Sequence, residues 1–278
     1  MFAFIHRIQR RLRRDKPFPP GWLEILESQV PFYNQLDEQL RPRFLTMLKL
    51  FIWEKHFVPA ADMQITDQVK VVIAAAAVRL VLHRDLSYYD RLTEIVVYPY
   101  VYQHPDENGA VLGEAHTWGT VVLSWPAVVQ GMANACDGHD TAAHEFAHVL
   151  DQGDGAFDGT PELRERADYT PWADVMSDHF AKLQKRARVE RKVMRMYGAT
   201  NEAEFFAVAT ESYFEKPQQM KELTPDLYEE LKAFYGGDPA ALDASEEEDD
   251  RPPDKVYRND PCPCRSGKKF KRCCGRRP

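Results

Sequence analysis

The chain has 278 residues, 44% of them apolar and 12% aromatic, with a formal net charge of −7. That composition supplies a packed core and excludes a wholly disordered chain, and the negative balance argues against a nucleic-acid-binding surface spread over the whole molecule. The longest apolar run, Val71–Val78, falls far short of the ~20 residues a helix needs to cross a bilayer, so no transmembrane segment is expected.

Residues 1–19 form a basic segment whose apolar residues precede its arginines, the reverse of a secretory signal. Phe4, Ile5, Ile8 and Leu12 recur at helical spacing, which suits a basic helix packed on the domain or one in transient contact with a membrane surface. In 39–57, Phe44, Leu48, Phe51 and Ile52 share a helix face, and Thr66 caps an Ala-rich, buried helix. Strand-like pieces follow at Glu94–Tyr102 and Gly119–Trp125, joined by a Gly-containing loop, and the second is expected to be the edge of a small sheet. From Asp140 to Tyr235 the pattern is helical again, broken by "DQGDGAFDGTPE". Helices, a small sheet and helices make 20–235 an α+β domain. Gly, Pro and a run of acids mark 236–257 as a flexible linker, and a basic, Cys-rich module occupies 258–278. Four of the five cysteines crowd into that module, and Cys136 reads as a small buried apolar residue. This is no disulfide framework, so a cytoplasmic protein is expected.

The sharpest motif is "HEFAH", with His144 and His148 four residues apart. On a helix that spacing stacks both imidazoles on one face, within reach of a single ion, and Asp140 or Thr141 is placed to cap that helix. Imidazole nitrogen suits zinc, and a catalytic zinc takes three protein ligands and leaves the fourth position to water. Glu145 lies where it can take a proton from that water. Such a string arises by chance in on the order of one chain per hundred of this length, so a third ligand must carry the argument. In "YGATNEAEFFAVATESYF" (Tyr197–Phe214), Asn201 caps a helix on which Glu204, Ala207, Val208 and Glu211 share a face. Glu204 is either that ligand, drawn inward by Phe205 and Phe206, or a surface carboxylate favoured by the helix dipole.

"HEFAHVLD" together with "YGATNEAEFFAVATESYF" resembles the Mlc titration factor A family of zinc metallopeptidases, and the second segment resembles the zinc domain of anthrax lethal factor. The resemblance implies a zincin-like fold over 20–235, with a strand lying beside the HExxH helix. It also implies His144, His148 and Glu204 as zinc ligands, Glu145 as general base, and Tyr197 as a hydroxyl over the metal that shares the charge of an oxyanion. Asp151 or Glu211 would hold a ligand histidine through its other ring nitrogen. Among the remaining histidines, His139 and His116 read as surface or loop residues, and His179 has no partner pattern.

In "CPCRSGKKFKRCC", Cys262, Cys264, Cys273 and Cys274 offer four thiolates, enough for a closed, structural zinc site. The pattern resembles the SEC-C motif found at the end of the SecA translocation ATPase, where its partner is the chaperone SecB. That implies a docking module, and the lysines between the cysteines suit an acidic protein or RNA. The expected function is therefore a cytosolic, aminopeptidase-like zinc peptidase acting on a peptide or protein substrate, with one catalytic and one structural zinc. The alternative is a regulatory protein that sequesters a Mlc-like transcriptional repressor, with hydrolysis secondary. A weaker third reading is a chaperone- or ribosome-associated factor directed by the tail.

Overall fold

Prolines set where many of the helices begin. In the computed structural model, which describes residues 8, 10–103, 110–111, 113–116, 119–134, 136–244, 259, 262 and 268–273, helix α1 runs over 10–14. It is followed by α2 (Pro20–Gln29), α3 (Pro31–Gln35), α4 (Arg41–Glu54), strand β1 (His56–Pro59) and α5 (Asp67–Val81). Strands β2 (Glu94–Tyr98), β3 (Tyr102–Gln103), β4 (Ala110–Val111), β5 (Gly113–His116) and β6 (Thr120–Ser124) come next. The helical half comprises α6 (Trp125–Ala133), α7 (Thr141–Asp151), α8 (Tyr169–Gln184), α9 (Glu190–Val193), α10 (Glu202–Glu215), α11 (Pro217–Leu223), α12 (Pro225–Tyr235) and α13 (Pro239–Ala244). Proline occupies the first turn of α2, α3, α4, α6, α11 and α12, where its missing N–H costs no hydrogen bond.

The main sheet has the order β1-β2-β6-β5, with β1, β2 and β6 parallel and β5 antiparallel to β6. The strand expected at the edge, Thr120–Ser124, is therefore internal, and the edges are His56–Pro59 and Gly113–His116. The reason is composition: Val121, Val122, Leu123 and Ser124 are buried, as a covered strand requires. "GEAH" has no apolar alternation to announce it. Likewise Trp125, read as the end of a strand, begins α6 because Pro126 follows it.

Helix α5 packs against α2, α4 and α7, and its alanines let neighbouring backbones approach; from Val71 to Val78 every residue is buried. Its cap is the expected one, Thr66 Oγ1 accepting from Val69 N–H at 3.4 Å. Phe51 of α4, Tyr89 and Phe146 of α7 meet edge to face, with centroids 5.4–5.9 Å apart, and fix α7 to the core by the side opposite its histidines.

At the N-terminal end the basic helix is packed on the domain, one of the two readings expected of it, and at the C-terminal end the stretch expected to be a linker opens with a helix. Helix α1 is docked by its basic side: Arg10 pairs with Glu54 at 2.9 Å and Asp90 at 2.7 Å, and Arg13 donates to Trp53 O at 2.8 Å. The acidic stretch from 236 opens with α13, held because Ala240 N–H donates to Tyr228 Oη at 3.1 Å and Gln218 Nε2 to Ala240 O at 2.6 Å. Ala240 is buried there, whereas the run of acids further on lies outside the described residues.

Candidate metal centre

The site begins with two helix caps. Asp140 Oδ1 accepts from Ala143 N–H at 3.0 Å to start α7, and Asn201 Oδ1 accepts from Glu204 N–H at 2.9 Å to start α10. The two helices pack against each other and turn their polar stripes inward. His144 Nε2 lies 3.0 Å from Glu204 Oε2 and 3.2 Å from His148 Nε2, and His148 Nε2 is 3.5 Å from Glu204 Oε2. The three side chains form one group able to hold a metal ion.

The donor chemistry fits zinc. Glu211, fully buried, takes His144 Nδ1 at 2.8 Å, which keeps a proton on Nδ1 and leaves Nε2 as the nitrogen that can hold a metal once its own proton is lost. Two imidazole nitrogens 3.2 Å apart and one carboxylate oxygen are reconciled by a cation between them, and N, N, O is a set with an open fourth position. Burial pushes the His144 pKa down, but hydrogen bonds to Glu204 and Glu211 outweigh it and raise it to about 10. Glu204 also feels burial, yet both histidines hold its carboxyl well below the usual range. Burial, with the charge on His144, lowers His148.

These shifts set a pH dependence. Metal-free His144 carries a proton at neutral pH that zinc must displace. Zinc affinity is therefore expected to climb with pH, roughly tenfold per unit from about pH 6 to about pH 8, with close to one proton released per ion bound. Calorimetry in buffers of different ionisation enthalpy measures that proton directly. A pH-independent affinity would contradict the assignment.

Around this centre, Glu145 is 5% exposed, and its charge acts on both His144 and Tyr197. Tyr197, on the turn Met196–Ala199, points its hydroxyl at Glu204 Oε1, 3.3 Å away. Burial and then the Glu204 charge push that phenol up to about 12, so it is a donor at neutral pH. Of the two carboxylates expected to hold a histidine, Glu211 reaches one. Asp151 instead accepts the Gly159 N–H at 3.0 Å, and no hydrogen bond reaches His148 Nδ1 among the described residues.

Three residues absent from the sequence reading complete the surroundings. Arg195 pairs with Glu211 and donates from Nε to Gly138 O at 3.2 Å, joining the turn that carries Tyr197 to the start of α7. Phe157 packs its ring 4.9 Å from His148 while 45% exposed, forming one wall beside the centre. Glu215 accepts the His139 N–H at 2.8 Å. An arginine or an aromatic in a loop carries no periodic signal, which is why these were missed. His179, which had no partner in the sequence, lies 3.0 Å from Asp226 and 3.3 Å from Glu190. With Asp178 already on Lys182 at 2.5 Å, that cluster is compensated within the protein.

Gly159 is where the loop after α7 meets α10. Its φ is +78°, and a Cβ there would stand 2.4 Å from Glu202 O. Gly159→Ala should therefore destabilise the fold by about 1–3 kcal/mol, read from the denaturant midpoint.

In the tail, Cys262 and Cys273 are buried, while Cys264 and Cys274 lie outside the described residues. Cys273 Sγ approaches Asn134 Oδ1 to 3.9 Å, at the end of α6. Two residues on, Cys136 is only half-buried, where a buried apolar residue was expected. A contact that spans so much sequence leaves no local trace.

The chain is similar to several known proteins. Residues 258–276 match the SEC-C motif. A protein of Synechocystis, itself named only as uncharacterized, is 38% identical over 233 residues, covering 79% of this chain and 85% of its own. Mlc titration factor A of Serratia proteamaculans is 28% identical over 227 residues (76% and 86% of the two chains). That of Edwardsiella ictaluri is 27% identical over 225 residues (76% and 85%). Since residues 4–236, which include both α7 and α10, match the model of the glucose-regulated metallo-peptidase M90 family, the chain belongs to that family of metallopeptidases.

Proposed function

We propose that the protein is a zinc-dependent peptidase of aminopeptidase type, with His144, His148 and Glu204 as ligands. The observation that carries this reading is the convergence of two imidazoles and one carboxylate from two helices, with Glu145 buried beside them. Bound zinc supplies a Lewis acid that polarises a peptide carbonyl and acidifies water. Glu145 takes the proton of the attacking water and delivers it to the leaving amine. Tyr197 donates to the developing oxyanion, a role supported by its raised pKa. Glu211, fixed by Arg195, keeps His144 in the tautomer that presents Nε2. Edge strand β5 packs along α7 and offers main-chain groups to an extended peptide.

A second reading rests on the relatives' name, Mlc titration factor A: binding of a transcriptional repressor, alongside or instead of hydrolysis. We assign the zinc peptidase domain to 20–235, a linker to 236–257 whose first residues dock as α13, and a docking module to 258–278 with Cys262, Cys264, Cys273 and Cys274 around a structural zinc. The module's partner would be a chaperone, an acidic protein or RNA, in the cytoplasm. Metal analysis by native mass spectrometry tests the assignment: two zinc ions on the full chain, and one after deletion of 255–278. Amino-acid nitroanilides with a free amine should be cleaved and N-acetylated ones spared. Absence of zinc from the truncated protein would refute the catalytic site.

A further inference from the structure

The polarity of α1 is inverted relative to an ordinary surface helix. Two of its arginines, Arg10 and Arg13, face the domain: the Arg10 guanidinium is held by Glu54, Asp90 and Leu86 O, at 2.7–3.1 Å, and its side chain is only 15% exposed. Lys49 reaches up from α4 to Arg14 O at 2.9 Å and to Lys16 O, clamping the far end of the helix. With that side fixed, the opposite side must point outward. Leu12 is 73% exposed and Ile8, one turn before it, 46%. Phe4 and Ile5 continue the same spacing in the sequence and lie outside the described residues. Arg11 and Arg14 are exposed as well.

Aliphatic side chains held in water by an anchored backbone call for a covering partner. Ile8 and Leu12 together offer about 200 Å², against the roughly 800 Å² per partner of a stable protein interface. A lipid surface makes no such demand: a protruding apolar ridge with cationic borders inserts at the headgroup boundary, the guanidinium groups meeting phosphates. The charge is placed accordingly. Residues 1–16 hold six basic residues against Asp15 alone, in a chain of net charge −7.

We propose that α1 is an interfacial anchor that seats Ile8 and Leu12 in the surface of an anionic bilayer, with Arg11 and Arg14 at the headgroup phosphates. This stands independently of the peptidase reading. The test is flotation of the zinc-loaded full chain with vesicles of phosphatidylcholine alone or mixed with phosphatidylglycerol. Partitioning is expected onto the mixed vesicles only, weakening as salt is raised. Leu12→Glu should reduce it at least tenfold, and Arg11→Gln by about fivefold, the equivalent of ~1 kcal/mol per charge near an anionic leaflet. Both side chains are exposed, so the variants should keep the wild-type melting temperature. The proposal fails if the protein ignores phosphatidylglycerol vesicles, or if Leu12→Glu binds them as well as wild type does. It fails equally if sedimentation shows a dimer that Leu12→Glu dissociates without any vesicle binding, since a second copy then covers the ridge.

Discussion

Replacing Glu145 by Gln should lower peptide hydrolysis on the order of 10²–10⁴-fold while leaving zinc content unchanged. The substitution keeps the shape of a side chain that is 5% exposed in the middle of α7, so packing against the core survives. What is lost is the ability to accept a proton from water and return it to the leaving amine. The charge also vanishes from beside His144 and Tyr197, on which the Glu145 carboxylate acts. Removing that negative charge lowers both pKa values, which frees His144 for metal slightly and leaves Tyr197 a donor. Loss of turnover with retained zinc therefore isolates proton transfer from metal binding. The variant also separates the two functional readings. If it still engages a Mlc-like repressor, binding needs no hydrolysis. If Glu145→Gln turns peptides over at the wild-type rate, the peptidase mechanism given above is wrong.

Glu204→Ala should have the larger effect on the metal. It removes an oxygen 3.0 Å from His144 Nε2 and 3.5 Å from His148 Nε2, and it leaves two imidazoles with no anionic partner on that side. Loss of an outer carboxylate partner costs metal sites about 10–100-fold in affinity, so loss of a ligand should exceed about 100-fold. Arg195→Ala, which loosens the hold on Glu211 and on Gly138 O but removes no ligand, belongs in the lower range. Zinc titration against a chromogenic chelator ranks wild type, Arg195→Ala and Glu204→Ala. Retention of stoichiometric zinc by Glu204→Ala after dialysis would remove that residue from the site.

The helices that bear the site were readable because each has a local start signal and a period. Asp140 and Asn201 cap α7 and α10 where the sequence suggested, and the histidine spacing placed both rings on one face. That Glu204 meets them follows from a resemblance between segments, since on its own it was also a plausible surface carboxylate. The edge of the sheet was misplaced because β5 is recognised by pairing with β6, through Glu114↔Val122 and Ala115↔Val121, and by no pattern of its own. Arg195 and Phe157 escaped for a related reason. Their roles depend on where a turn and a loop return in space, and that geometry is fixed by Gly138, Gly159 and Asp151 rather than by any neighbour in sequence.

Glu211 receives the Asp140 N–H at 2.8 Å, the His144 ring and the Arg195 guanidinium, so a single inaccessible anion serves three separate stretches of chain. During synthesis the ribosome delivers "HEFAH" long before residue 211 emerges. Until then the α7 imidazoles have neither their third ligand nor the carboxylate that orients His144. A growing or half-opened chain would thus be a harmless one, and hydrolytic competence would arrive together with completion of the domain.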